Sequence, residues 1–263
     1  GCIIFYTTLF YFGNFYYINN VLIKYKVLAM KKLKVFYLFL LLYSISYSQN
    51  SAIGLNFMLG FPQGEFKQNV DRTGFGLALD YAYTPNNSFP ISIGANIGIL
   101  NYGSESRRER FSLTIPDVMV NVNRSNNLVN FHFLTRFGPV RGLFRPYFEA
   151  LLGASYIWTQ TEIKDDYGYS EKIASSTNFD DFAWSYGGGG GFLIYLTRFE
   201  DKDNQNSSIV DLFLDLKVRY LYGSKARYLK EGSVKIINGY AYYDVYESKT
   251  DILSFHLGVT VCF

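Results

Sequence analysis

Six charged residues stand inside otherwise apolar, regularly alternating stretches: Asp80, Arg136, Glu149, Asp215, Lys217 and Arg219. Three are acids and three are bases, so they can cancel one another as buried salt bridges or line a path for small ions. Arg136 and Glu149 flank a short connection and should meet at similar height on neighbouring strands. Pairing that fills an interior is the favoured reading, and an ion pathway is the alternative. His132 and His256 are the only histidines. A hydrolase or acyltransferase needs a nucleophile, a base and an orienting group converging in space. Ser254, two residues before His256 on the same face, is the nearest approach, so no catalytic residue is assigned.

The run Gly187–Gly191 resembles an anion-binding loop in composition. No Gly-Lys-Ser or Gly-Lys-Thr follows it and no helix opens after it, so strand curvature and close strand approach explain it better. With only Cys2 and Cys262 in the chain, no disulfide framework or cysteine metal site is expected, nor any cofactor. Acidic residues cluster between 160 and 181 (Glu162, Asp165, Asp166, Glu171, Asp180, Asp181), and Arg107, Arg108 and Arg110 cluster near 108. Solvated loop charge is the expected role of both groups, with divalent cations for the acidic cluster and phosphate groups for the basic one as the alternatives.

Strands must position these side chains. The chain holds 24 Tyr and 24 Phe against 3 Met, which favours a pleated surface over helices. From Ala52 onward, segments of roughly ten residues alternate apolar and polar positions, the period of a strand. Eight such segments begin near Ile53, Phe75, Ile91, Val129, Phe148, Trp184, Leu212 and Leu253. In the last, Leu253, Phe255, Leu257, Val259, Val261 and Phe263 share one face, and Ser254, His256, Gly258, Thr260 and Cys262 share the other.

The N-terminal region carries its own signals. Lys31, Lys32 and Lys34 precede an apolar run from Val35 to Tyr43, and Ser46-Tyr47-Ser48 supplies small residues for cleavage before Gln49. Residues 30–48 are therefore expected to be a secretory signal peptide, the apolar run being too short for a membrane-crossing helix of roughly 20 residues. Residues 1–29 are expected to be an upstream extension outside the mature protein, which then covers 49–263. Removing residues 1–48 takes away Lys24, Lys26, Lys31, Lys32 and Lys34 and no acid, so 25 basic residues become 20 against 22 acidic ones. The mature charge is slightly negative and gives no reason to expect nucleic acid as a partner.

One face of each strand is almost purely apolar and ends in aromatics, while the other carries Gly, Asn and charge. Connections near 84–90, 138–145 and 197–209 are shorter than those near 103–127, 159–182 and 223–251, with 62–73 between. This asymmetry, the even strand count and the export signal predict an all-β fold: an eight-stranded antiparallel up-and-down transmembrane β-barrel with both termini in the periplasm. Asn238-Gly239 predicts a hairpin that carries strands seven and eight beyond the membrane.

With its alternating ten-residue strands, its Gly-Phe-Pro-Gln-Gly-Glu-Phe stretch at Gly60–Phe66 and its terminal strand ending in Phe263, the chain resembles small outer-membrane β-barrel proteins of Bacteroidota. These are often called porin-like. More distantly it resembles the membrane barrels of OmpA and OmpX. The resemblance implies location in a bacterial outer membrane, contact with its lipid and lipopolysaccharide, and a monomer. It also implies that barrel-assembly machinery reads Leu257, Val259, Val261 and Phe263. The expected function is non-enzymatic: a filled lumen, with structural or interaction roles through long external loops. A narrow passive pore is the alternative, and a lipid-modifying enzyme a more distant one.

Overall fold

The computed structural model describes residues 50–85, 90–110, 119–165, 172–199, 210–237 and 240–263. The expected signal peptide and upstream extension lie outside the described residues, as do Asn238 and Gly239. Eight strands form a closed antiparallel ring: β1 (Ser51–Pro62), β2 (Gly74–Tyr83), β3 (Ile91–Arg110), β4 (Met119–Phe137), β5 (Phe144–Asp165), β6 (Lys172–Phe199), β7 (Val210–Gly223) and β12 (Ile252–Cys262). Neighbours in sequence are neighbours in space, and β1 pairs with both β2 and β12 to close the ring. Closure leaves no open sheet edge within the ring itself, the condition for a sheet that crosses lipid.

Side-chain alternation sorts the residues as the strand period requires. Leu55, Leu79, Ile97, Phe131 and Val259 point outward in a continuous belt, whereas Asn56, Asp80, Asn96, Asn130 and Thr260 are buried inside. Phe133 is 79% exposed and Phe148 74%. In water so large an apolar belt would aggregate; in a bilayer it is the solvated surface. The fold is thus a transmembrane β-barrel. Aromatics crowd one rim of the belt, where Tyr186 stacks on Tyr222 at 5.7 Å and Tyr156 on Trp158 at 5.7 Å.

Ser51 and Phe263, together with the strand ends at Tyr83, Phe137 and Phe199, lie at one end of the ring, called below the end of the termini. The opposite end corrects the expectation of long loops. Much of 103–127 and 159–182 is strand, because β3 continues to Arg110, β4 begins at Met119, β5 reaches Asp165 and β6 starts at Lys172. Alternation fails to reveal these extensions because neither face there meets lipid, so polar residues occupy both. Cross-strand hydrogen bonds take the place of apolar packing, as between Ser106 and Asn123 (2.6 Å) and between Thr161 and Asn178 (2.6 Å). Register shifts at Asn101/Gly103 and Thr159/Gln160 fall near where the wall becomes this projecting sheet.

The expected extension of strands seven and eight is present but broken. After Gly223, β8 (Lys225–Tyr228) pairs with β11 (Tyr246–Lys249), and β9 (Val234–Ile237) pairs with β10 (Tyr240–Tyr243), as separate two-stranded sheets nested in one connection. The link expected at 62–73 only as a connection of intermediate length contains the short helix α1 (Gly64–Asn69). A charge placed on the lipid face tests the orientation of the wall. Phe131→Arg should lower unfolding free energy in vesicles by about 2–4 kcal/mol, read from urea titration. An unchanged midpoint would contradict a lipid-facing Phe131.

Candidate functional site

The order of residues along β7 and β5 divides the lumen into layers. Nearest the termini, Tyr147, Leu193 and Phe213 form an apolar floor, joined by Tyr195 and Cys262. The next inward positions are Asp215, Lys217 and Arg219 on β7 and Glu149 on β5; above them Leu134, Leu151 and Leu221 close together. The six charged residues expected to face inward all meet in the layer between. Arg219 donates from Nε to Glu149 and from Nη2 to Asp80 at 2.9 Å. Lys217 pairs with Asp80 and, at 2.9 Å, with Asp215. Arg136 reaches Glu149 at 3.4 Å, directly across the β4–β5 register.

Uncharged neighbours complete the carboxylates. Asp80 accepts Asn56 Nδ2 at 2.9 Å and Asn96 Nδ2 at 2.8 Å, while Asp215 accepts the Tyr147 hydroxyl at 2.6 Å and Thr260 Oγ1 at 3.2 Å. The guanidinium of Arg136 lies 4.1 Å over the Tyr147 ring. All six charged side chains are buried. Three acids and three bases leave the layer neutral, and the hydrogen bonds satisfy most remaining polar atoms, the conditions under which charge is tolerated away from water.

The glycine run of β6 belongs to this site. Its inward positions carry no side chain because β7 lies close against them: a Cβ at Gly187, Gly189 or Gly191 would lie 2.0, 2.4 and 2.4 Å from the backbone oxygens of Tyr220, Val218 and Leu216. A Cβ added at Gly191 would lie 2.6 Å from Lys217 Cβ and 2.9 Å from the Tyr147 hydroxyl, and one at Gly189 would lie 2.9 Å from Arg219 Cγ. Close strand approach, the expected reason for the run, is thus present, and the same bare positions leave room for Lys217 and Arg219.

Each histidine binds a serine. His256 Nε2 lies 2.9 Å from Ser254 Oγ, and His132 Nε2 lies 3.0 Å from Ser185 Oγ. The second pair joins β4 to β6, strands separated by one in the ring, and no sequence spacing would reveal it. Nδ1 of both rings is buried with no hydrogen-bond partner. A catalytic triad places its orienting acid at that atom. Among the described residues no group of His, Cys, Asp or Glu is arranged to hold a metal ion.

At the end remote from the termini, α1 turns Phe66 down into the ring, where it is fully buried. Its ring meets Tyr102 edge-on at 5.6 Å and Tyr228 at 5.0 Å, within a cluster that includes Met58, Leu100, Leu128 and Ile157. Asn69 bonds the Tyr228 hydroxyl at 2.9 Å, and Arg72 pairs with Glu231 at 2.7 Å. This apolar cork has no local sequence signal: Gly60–Phe66 was notable for its family likeness alone. Tyr147 was within reach of the sequence, two residues before Glu149 on the same face. On β12, Leu257 and Val259 face outward, and Phe263 exchanges backbone hydrogen bonds with Ser51 at 3.0 and 2.9 Å.

No protein-family model matches the sequence, and no curated protein does. Solved structures similar to the chain include Neisserial surface protein A, at 11% identity over 81% of this chain and 97% of that one, with a TM-score of 0.34. Ail, the attachment invasion locus protein of Yersinia pestis, is similar at 17% identity over 81% and 97%, with a TM-score of 0.31. A major outer membrane protein from Thermus thermophilus shares 11% identity over 81% and 99%, with a TM-score of 0.32.

Removing one partner from the charged layer should expose the cost of the others. Glu149→Ala strands Arg136 and part of Arg219, and should destabilise the barrel by about 3–5 kcal/mol. Arg198→Ala, which breaks the exposed pair with Asp211, should change it by less than about 1 kcal/mol. Equal effects in urea titration would show that the lumen is hydrated enough to screen its charges.

Proposed function

We propose that this protein is an integral outer-membrane barrel whose lumen is closed by its own side chains and whose activity is binding or structural, through the parts that project from the end remote from the termini. The observation that carries this reading is the neutral layer Asp80–Lys217–Asp215 and Asp80–Arg219–Glu149–Arg136, which ties β2, β4, β5 and β7 together across the interior. The Phe66 cork adds a second closure. With both termini in the periplasm, the projecting sheet of β3–β6 and the nested β8–β11 segment face outward from the cell.

The protein is read as a monomer of the small Bacteroidota porin-like kind, akin to OmpA and OmpX. The alternating strands and the Gly60–Phe66 stretch support that kinship. Outer-membrane lipid and lipopolysaccharide surround the apolar belt and its aromatic rim, and the barrel-assembly machinery recognises Leu257, Val259, Val261 and Phe263 on β12. The unpartnered Nδ1 atoms of His132 and His256 favour packing over catalysis, against a lipid-modifying enzyme.

A narrow passive pore for small solutes is the second reading. In its favour are the buried polar side chains of Asn130, Ser155, Ser185 and Ser254, which lie between the charged layer and the cork. Planar bilayers separate the two. The filled lumen should give no steady conductance, in the wild type or after Lys217→Met. Steady openings whose size changes on neutralising Arg136 or Lys217 would replace the first reading with the second.

A further inference from the structure

Seven of the eight strand contacts in the ring join strands that follow one another along the chain, as hairpins or through the connection from β7 to β12. The contact between β1 and β12 has no connection at all. In a hairpin the turn fixes register; at this seam side chains must do so. The apolar pattern is insufficient. A slip of one residue would turn the apolar face of one strand inward, Leu55 on β1 or Leu257 on β12, and is excluded, but a slip of two keeps every residue on its proper face.

The charged layer distinguishes these alignments. Asp80 sits on β2 and its partners Lys217 and Arg219 on β7, so the ion pairs reach across the two seam strands, joining residues 137 and 139 positions apart. In the native register Asp80, Gly54, Thr260 and Phe213 lie in one row. If Gly54 instead faced Cys262, the row would be Asp80, Gly54, Cys262 and Asp211. That slip moves Asp80 about 7 Å relative to β7, away from both cations and into the row of Asp211. A satisfied carboxylate would become an unpaired one facing like charge, in a setting where such charge is heavily penalised.

We propose that the buried ion pairs set the register of the closing seam against the slip that brings Gly54 opposite Cys262, since Asp80 meets both Lys217 and Arg219 in the native alignment of β1 and β12. Shape is the rival determinant: a Cβ at Gly258 would lie 2.5 Å from Asn56 Cα, so local fit also differs between alignments.

Cys262 provides the reporter. Ser51 and Phe263 exchange both backbone hydrogen bonds, which makes the adjacent Ala52–Cys262 couple a non-hydrogen-bonded pair with Cα atoms about 4.5 Å apart, within disulfide range. Ala52→Cys should therefore bridge to Cys262 under mild oxidation in the native register, and Gly54→Cys should bridge to it in the slipped one. Each is refolded into vesicles, with barrel formation scored by heat-modifiable gel migration.

With the ion pairs intact, Ala52→Cys should bridge almost completely and Gly54→Cys hardly at all. Asp80→Asn with Lys217→Met removes the cross-seam pairs yet leaves two acids facing two bases. It should lower Ala52→Cys bridging several-fold and raise bridging by Gly54→Cys. Asp215→Asn with Lys217→Met removes the same number of charges but keeps Asp80 with Arg219, and should bridge as the wild type does. A folded Asp80→Asn, Lys217→Met barrel with undiminished native bridging would overturn the proposal and leave shape as the determinant. If that variant forms no barrel while the Asp215 variant does, the cross-seam pair is still required. Equal loss of the barrel in both would overturn it, since charge number alone would then matter.

Discussion

Charge enclosed within a ring of eight strands in lipid has to be cancelled where it stands, and Arg219, fully buried, links the two halves of the network that does so. Its guanidinium joins Asp80 on β2 to Glu149 on β5 from a position on β7. Lys217 draws Asp215 into the same layer, and Arg136 shares Glu149. Much of the interior follows from accommodating that one side chain and its neighbours. The glycines of β6 make room for it, Asn56 and Asn96 complete the carboxylate it holds, and Tyr147 covers Arg136 while donating to Asp215.

The same strands obey two different rules along their length. Within the belt, β3 to β6 carry apolar residues outward and polar ones inward; beyond it they continue as a sheet with polar residues on both faces. One chain therefore supplies a lipid-stable wall and a water-stable projection without a domain boundary. The cork belongs to neither. Phe66 is brought into the ring from a helix of six residues and is held by aromatics from β3 and β8, so it depends on elements brought together only by the closed fold.

These differences explain what the sequence disclosed. Where lipid presses on one face, alternation is enforced, and the eight strands, their faces and the inward direction of Asp80, Arg136, Glu149, Asp215, Lys217 and Arg219 could all be read. Pairing of Arg136 with Glu149 was legible because a short turn joins their strands. Asp80 with Lys217 was not, since nothing local relates residues 137 apart. The extensions of β3 to β6 were hidden because water on both faces removes the alternation. Phe66 and the His132–Ser185 pair were hidden because each depends on side chains from distant strands.

Solid-state NMR on labelled protein in bilayers would measure the separation of Lys217 Nζ from the Asp80 carboxyl carbon. A lumen closed by direct ion pairs requires a strong dipolar coupling between them, corresponding to hydrogen-bond contact, with the ammonium protons protected from exchange with bulk water. A weak or absent coupling, with rapid exchange at Lys217, would mean that water separates the charges and that the lumen is open.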